Sequence, residues 1–457
     1  MKKNINKILA TAGLVTLSLM ASSVYAKVSA DQADQLGKTL TPLGAEMAGN
    51  MAGTIPAWTG GLHSGNTPAS VDKGRPDNIL KDEKPLFTIT NSNLGQYKNN
   101  LSPGQLAMFN KFPNYKMPIY KTHRSGAYPD KLYPVIKQNA TTATLIQGGD
   151  GLADFNISIP FPIPQSGVEV IWNHITRYRG GSSERIGSIQ PVLRDGSFVT
   201  VKQTDKMVWP EYLSGGRDSK KDDNVLFYYL GRITAPARLT GTSMLLHETL
   251  DQVKEARRAW VYNSGQRRVR RAPNVAYDGP IAGTEGLRTS DNYDMYNGSP
   301  DRYNWKLVGK KEMYIPYNTY KLLDTNAKYT TLVQAGHLNP DYLRYELHRV
   351  WEVEATLKEG ARHIYAKRTF YIDEDTWSCA VIDQYDTRGE LWKLSEGHSI
   401  QFYDVNTPWL VAETLHDLNS GRYLVTGLSN EEPKFMVWGG ESTRREFSSA
   451  ALRRMGR

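Results

Sequence analysis

The sequence predicts a mainly β chain of α+β type, built on one large antiparallel sheet. Three observations carry that reading. Three consecutive segments between Arg344 and Leu394 alternate apolar and polar side chains with a period of two, the mark of strands with one buried face. The linkers between them are only a few residues long, so the strands run antiparallel as a meander. Aromatic residues make up 10% of the chain, with 26 Tyr and 10 Trp, and such side chains favour strands.

The first of these strands is His348–Leu357, with Trp351, Val353, Ala355 and Leu357 on one face and Val350, Glu352, Glu354 and Thr356 on the other. Lys358-Glu359-Gly360 makes the turn. The second is Arg362–Ile372, whose Ile364, Ala366, Phe370 and Ile372 share a face, and Asp373-Glu374-Asp375 turns the chain again. The third is Trp377–Asp386, followed after Thr387-Arg388-Gly389 by a short return, Glu390–Leu394. Strands of roughly ten residues exceed the usual five or six. A long one-sided strand must cover its apolar face with a second sheet, with helices or with a ligand.

Residues 1–26 read as a secretory signal. Lys2, Lys3 and Lys7 precede an apolar run from Ile8 to Met20, and Val24-Tyr25-Ala26 offers small residues around a cut after Ala26. The run is too short to span a bilayer, and no cysteine stands near the cut to take a lipid. The expected product is a soluble protein of the Gram-negative periplasm that begins near Lys27. Loss of three Lys and no acids takes the formal charge from +9 to +6. Export removes nucleic acid as a partner, so the basic balance points to anionic lipid surfaces or acidic proteins. The one cysteine, Cys379, has no internal disulfide partner and reads as a buried structural thiol.

Along the mature chain, Asp31 is placed to cap a short helix through Leu36. Residues 63–100 are polar and broken by Pro and Gly, as a surface-wrapping extension would be. Ser102 as N-cap and Pro103 at the first helical position predict a short helix to Phe112, with Leu106, Phe109 and Phe112 on its apolar face. Residues 113–163 suggest a few irregular strands. Ile146–Phe155 is glycine-rich but lacks the Lys-Ser/Thr and the following helix of a phosphate loop, and reads as a plain loop. Pro164–Gly180 is the strongest helix. Val168, Ile171, Trp172 and Ile175 recur at helical spacing, and Gly180-Gly181 stops it. It packs on the sheet as core, as a lid, or as both.

Two or three strands are expected from Glu184 to Trp209, hinged at Arg194-Asp195-Gly196, and another set from Val225 to Leu250. Arg257–Pro273 forms a hairpin about Asn263-Ser264-Gly265. It carries the densest basic cluster, Arg267, Arg268, Arg270 and Arg271, which is either a solvated strand end or a dock for lipid phosphate or an acidic partner. Asn292–Leu322 reads as aromatic and loop-rich. Further strands are expected at His398–Val405, Trp409–His416 and Tyr423–Thr426, and a short basic helix in the tail from Phe447. The expected organisation is a signal peptide over 1–26, a loop-rich extension wrapping the sheet over 27–163, and the sheet domain over 164–457.

Several long motifs carry a resemblance. Thr41–Gly61 (TPLGAEMAGNMAGTIPAWTGG), Arg177–Gly180 (RYRG), Asp294–Asn318, His337–Gly360 and Ser420–Leu428 together resemble the bacterial family known as domain of unknown function 1329. The likeness spans essentially the whole mature chain. It implies a fold similar to the Lol-type lipoprotein carriers, an open, curved antiparallel half-barrel with helices in its concave face. It also implies an envelope protein associated with export pumps of the resistance-nodulation-division type. It brings no catalytic residues.

No catalytic constellation stands out. There is no G-x-S-x-G elbow. His247-Glu248 continues as Thr-Leu-Asp rather than as H-E-x-x-H, and the nine histidines show no metal-cage spacing. Glu352 and Glu354 suit acid–base chemistry by spacing, but an exposed strand face accounts for them. No cofactor or metal is expected. Three function classes remain open: a periplasmic carrier or chaperone of a lipid-like hydrophobic molecule, serving an export system or outer-membrane delivery; a non-catalytic adaptor of an envelope complex; and an envelope hydrolase. On the carrier reading, Ile171, Trp172 and Ile175 of the helix close over Trp351, Val353, Phe370 and Ile372 of the sheet as the ligand lining.

Overall fold

The computed structural model describes residues 27–67, 70–272 and 277–455. The expected signal peptide and Pro273, the last residue of the expected arginine hairpin, lie outside them. Sixteen strands of the described residues form a single open sheet. They are β1 (Phe87–Ile89), β2 (Met117–Ile119), β3 (Ser182–Val192), β4 (Val201–Val208), β5 (Val225–Ala235), β6 (Ser243–Thr249), β7 (Arg258–Asn263) and β8 (Arg268–Arg271) in the first half of the chain. The second half supplies β9 (Tyr303–Pro316), β10 (Tyr345–Leu357), β11 (Lys367–Asp373), β12 (Cys379–Tyr385), β13 (Leu391–Phe402), β14 (Thr407–Asp417), β15 (Tyr423–Thr426) and β16 (Met436–Trp438). The spatial order is β8-β7-β6-β5-β4-β3-β15-β14-β13-β12-β11-β10-β2-β1, with β9 also on β10 and β16 also on β3. Pairing is antiparallel apart from one contact of Tyr345 with Ile119, between β10 and β2. From β3 to β8 and from β9 to β15 each strand pairs with the next in sequence, as short connections favour, and the two runs join where β3 pairs with β15.

The predicted central meander is present as β10, β11, β12 and the start of β13. Val353 pairs with Phe370 and Phe370 with Ile382, so the apolar face read from the alternation is continuous across three strands. Three details of it differ from expectation. β11 begins at Lys367 rather than Arg362, because the preceding backbone is tied into a loop: Ile364 N donates to Asp278 and Tyr365 N to the ring of His363. The short return Glu390–Leu394 is the beginning of the 12-residue β13. The strand expected at His398–Val405 is the second half of that same β13, bulged between His398 and Ser399.

A larger miss is β9. The segment read as loop-rich contains a 14-residue strand paired along the length of β10. Its start does alternate, with Tyr303, Trp305 and Leu307 turned inward and Asn304, Lys306 and Val308 exposed. The following Lys310, Lys311 and Glu312 disguise the pattern.

Four helices of seven residues or more are described. α1 (Pro103–Lys111) is capped by Ser102, whose Oγ accepts from Gln105 N at 3.1 Å while Gln105 returns a bond to Ser102 N. α2 (Tyr133–Thr142) stands where irregular strands were expected. Only Ile136, Asn139 and Ala140 of it are buried, too sparse an apolar face to show a helical period. α3 (Gly167–Thr176) is the strong central helix, capped by Ser166 and Glu169. It stops at Thr176, before the glycines, because Arg177 is already extended. α4 (Ser449–Met455) is the basic tail helix. The first short helix is capped by Ser29, with Asp31 inside its first turn.

Both faces of the central strands are covered. α3 lies on the Val353 face against β9 and β10. α1 lies on the other, where Gly104 N and Ser102 Oγ donate to Asp383 and Gln105 Nε2 to Glu396. One cluster of buried apolar side chains runs from Leu43 and Phe109 of the N-terminal segment to Met436. Among the described residues no helix is long and apolar enough to cross a membrane.

A candidate ligand cavity and its charged clamps

On the α3 side of the sheet, the segment 277–299 crosses β4 to β7 as a strap. It carries Asp294–Ser299, the start of the motif Asp294–Asn318, and three buried polar clusters fasten it. Asp291 accepts from Arg368 of β11 at 2.7 Å and meets His363 Nε2 at 3.1 Å. Asp294 places one carboxylate oxygen on Arg177 and the other on Arg179, each at 2.6 Å, so the RYRG motif is the socket for this residue. Asn297 Nδ2 donates to Glu248 of β6 at 2.6 Å, and Glu248 is itself paired with Arg257. Burial alone would raise the pKa of Asp291 and Asp294. Arg368 and His363 for the first, and the two arginines for the second, outweigh it and hold both carboxyls well below the usual range.

His174, on the last turn of α3, completes the fastening. Its Nε2 faces only the Asp294 carbonyl, at 2.9 Å, and so carries the proton and donates there, while Nδ1 accepts from Cys379 N at 3.1 Å beside the Trp377 carbonyl. Burial and the adjacent Arg177 lower its pKa to about 3, so the ring is neutral. Cys379 is buried, as the sequence suggests.

Between the strap and the sheet lies a cavity of about 190 Å³. Phe227, Ile233, Met244, Leu246 and Val261 form its floor and Ile281 of the strap its roof, and polar side chains, Gln203, Arg232 and Arg288 among them, share the lining. Its edge is basic. Val261 pairs with Arg270 across β7 and β8, and Asn263 with Arg268. Directly opposed residues of an antiparallel pair point to the same face, so Arg268 and Arg270 rise on the cavity side of the sheet edge. Arg271 pairs with Trp260 on the other side, beside Arg453 and Arg454 of α4. Arg267 sits in the turn with positive φ. All four arginines are exposed, and the edge strand splits them between two faces.

The residues expected to line a ligand are brought together. Ile171, Trp172, Val353, Phe370 and Ile372 are 0% exposed and Ile175 is 3%, all in one core cluster. Trp351 is half-buried and stacks parallel to Trp377 at 6.2 Å. Trp172 donates its indole N–H to Gly149 O at 2.8 Å. Phe227 and Leu246 of the cavity belong to the same buried cluster, and Arg179 lies 5.1 Å over Trp209 and 5.0 Å over Phe227. Sequence reasoning missed the cavity strands β5 to β7 as a site. The available signal was the buried-arginine socket, since the chain's RYRG and DMYNGSP motifs answer each other in charge. On the opposite face, His348, Asp373 and Asp375 converge, the group of described residues with metal-ligand chemistry.

The family model described as Protein of unknown function (DUF1329) matches residues 88–453. An uncharacterized protein of Pseudomonas aeruginosa is 56% identical over 452 residues, which cover 98% of this chain and 99% of that one. A solved DUF1329 family protein from Desulfovibrio piger aligns with 60% of this chain and 92% of its own, at 14% identity and a TM-score of 0.41. A LolA superfamily protein from Nitrosomonas europaea aligns with 63% of this chain and 100% of its own, at 12% identity and a TM-score of 0.38.

Proposed function

We propose that this chain, which belongs to the DUF1329 family of proteins of unknown function, is a non-catalytic periplasmic carrier or chaperone of a lipid-like hydrophobic molecule. The observation that supports it is the cavity under the strap, with an apolar floor of Phe227, Met244 and Leu246 and with its lining residue Val261 paired to Arg270 of the basic edge strand. An acyl chain enters the cavity and an anionic head meets Arg268 and Arg270, whose guanidinium groups suit phosphate or carboxylate. About six methylene groups at about 0.8 kcal/mol each contribute roughly 5 kcal/mol. That barely exceeds the least cost of association, about 4 kcal/mol. Tight binding of a longer chain therefore needs the strap to shift, so that the ligand reaches the continuous face of Ile171, Trp172, Ile175, Trp351, Val353, Phe370 and Ile372. The carrier passes its cargo to or from an export pump of the resistance-nodulation-division type or an outer-membrane protein, and needs no cofactor.

Displacement of a fluorescent fatty-acyl probe tests this. Val261→Trp and Met244→Trp fill the cavity from half-buried positions and are expected to abolish probe binding without lowering the melting temperature. Binding that persists in both folded variants contradicts the assignment. The fully packed state of Val353 and Phe370 favours a second reading, an adaptor that binds only envelope proteins. Wild-type protein that is folded and never displaces the probe selects it.

A further inference from the structure

The face of the sheet away from the cavity holds a second polar centre. His348 of β10, Asp373 at the end of β11 and Asp375 in the following turn are each at most 3% exposed. His348 Nδ1 lies 4.0 Å from Asp373 Oδ1 and 3.9 Å from Asp375 Oδ2, and the three atoms lie within 4.8 Å of one another. The other ring nitrogen, Nε2, is 3.2 Å from Glu346 Oε2, and Glu346 is fixed in turn by Arg344, Asn318 and His123 N. A carboxylate on one ring nitrogen fixes the tautomer and leaves the other as a lone-pair donor. Here that lone pair faces two carboxylates, an arrangement that calls for a positive charge between them. Two buried atoms at the centre have no hydrogen-bond partner, Asp373 Oδ1 and the hydroxyl of Tyr317, whose ring stacks on His348 at 3.9 Å.

We propose that His348, Asp373 and Asp375 bind one divalent first-row cation, zinc or manganese, with Glu346 as the positioning carboxylate. One nitrogen and two carboxylate oxygens form a borderline-hard donor set that suits these ions. Tetrahedral bonds of about 2.0–2.2 Å place ligand atoms about 3.3–3.6 Å apart, so the separations of 3.9 and 4.0 Å must close by a few tenths of an ångström as the side chains turn onto the ion. Asp375 keeps Arg124 on its outer side, at 2.9 Å to Oδ2 and 2.6 Å to Oδ1, so its own charge is already shared. Arg124 also holds the carbonyl of Glu46. The ion therefore ties the TPLGAEMAGN segment, through Arg124 and Asp375, to the central strands. Its role is structural, since all three ligands are buried.

The mature full-length protein, stripped with a chelator, is titrated separately with zinc and with manganese by calorimetry. Bound metal is counted after dialysis. One ion is expected to bind at about one equivalent per chain and to raise the melting temperature. Glu346→Gln is expected to weaken that binding 10–100-fold, at the scale of lost outer-shell partners, and Asp373→Asn and His348→Gln to abolish it. Less than a tenth of an equivalent of both ions in folded wild-type protein overturns the proposal and leaves a His348 imidazolium as the charge between the carboxylates. Unchanged affinity in folded Asp373→Asn and His348→Gln also overturns it. If those two do not fold, unchanged affinity in Glu346→Gln decides against it.

Discussion

Arg124 grips Asp375 through two parallel bonds, Nε to Oδ2 at 2.9 Å and Nη2 to Oδ1 at 2.6 Å, across 251 residues of sequence. Both side chains are 2% exposed. The guanidinium also meets Glu374 at 3.5 Å, and Arg349 and Lys310 reach the same Glu374. The pair fastens the loop-rich N-terminal segment to the turn between β11 and β12. Arg124→Ala leaves Asp375 buried without its main partner, and removal of one member of such a pair costs about 3–5 kcal/mol. Arg124→Lys keeps the charge but loses the fork, and should fall between. Urea unfolding midpoints check the order. A loss below about 1 kcal/mol in the alanine variant would mean that the pair is not structural.

The strap makes a separate prediction. Asp294→Asn removes the charge that Arg177 and Arg179 share, leaving two buried guanidinium groups poorly compensated. Hydrogen exchange in 289–297 should accelerate well before global unfolding, and exchange in β10 and β11 should stay slow. Uniform acceleration across the chain would show that the strap opens only with the whole fold.

The parts of this molecule that the sequence reveals are those governed by alternation. Val353 was legible because Glu352 and Glu354 flank it, and Phe370 because Ile372 recurs two residues on, whereas Ile382 joins that face only through its pairing with Phe370. The Ser102 cap with Pro103 behind it was legible because its chemistry is local. Arg177, Arg368 and Asp294 were not, because a charged residue reads as solvent-facing until its partner is known, and the partners lie 77 to 117 residues away. His348, Asp373 and Asp375 escaped for the same reason: the ring comes from mid-strand and the acids from a turn that looks solvated. The cavity belongs to neither category. It exists because a strap of irregular backbone crosses strands that would otherwise pack directly, and periodicity carries no sign of it.

Two acids beneath α1 set a pH dependence. Burial pushes the carboxyls of Asp383 and Glu396 up to about 7. Hydrogen bonds from Ser102 and Gly104 to the first, and from Gln105 and Tyr345 to the second, oppose it. Lys311 also lowers Asp383, and Glu396 raises it. A carboxyl whose folded pKa exceeds the unfolded value of about 4 contributes stability that is complete below about pH 4 and is lost as pH rises through the folded value. Asp291 and Asp294, with depressed values, act in the opposite sense and lose their contribution as pH falls below about 4. The melting temperature should therefore decline from about pH 5 to about pH 8, and Asp383→Asn or Glu396→Gln should flatten that decline. A profile identical to wild type in both variants would remove these acids as its cause.

The basic edge strand bears on membrane contact. Replacement of Arg267, Arg268, Arg270 and Arg271 by Gln should weaken binding to anionic liposomes at low salt, where the screening length is about 30 Å, and matter little near physiological salt, where it is about 8 Å. The exposed positions make loss of fold no part of the expectation. Equal binding by wild type and the four-fold variant at low salt would end the docking role of this edge.

The carrier reading is tested most directly by native mass spectrometry, with lipid extraction, of protein purified from the cells that make it. The account predicts a mass above that of the mature chain by one hydrophobic molecule, recovered in the extract and absent from the Val261→Trp variant. A folded wild-type protein at the mass of the bare chain, with nothing hydrophobic in the extract, would contradict it.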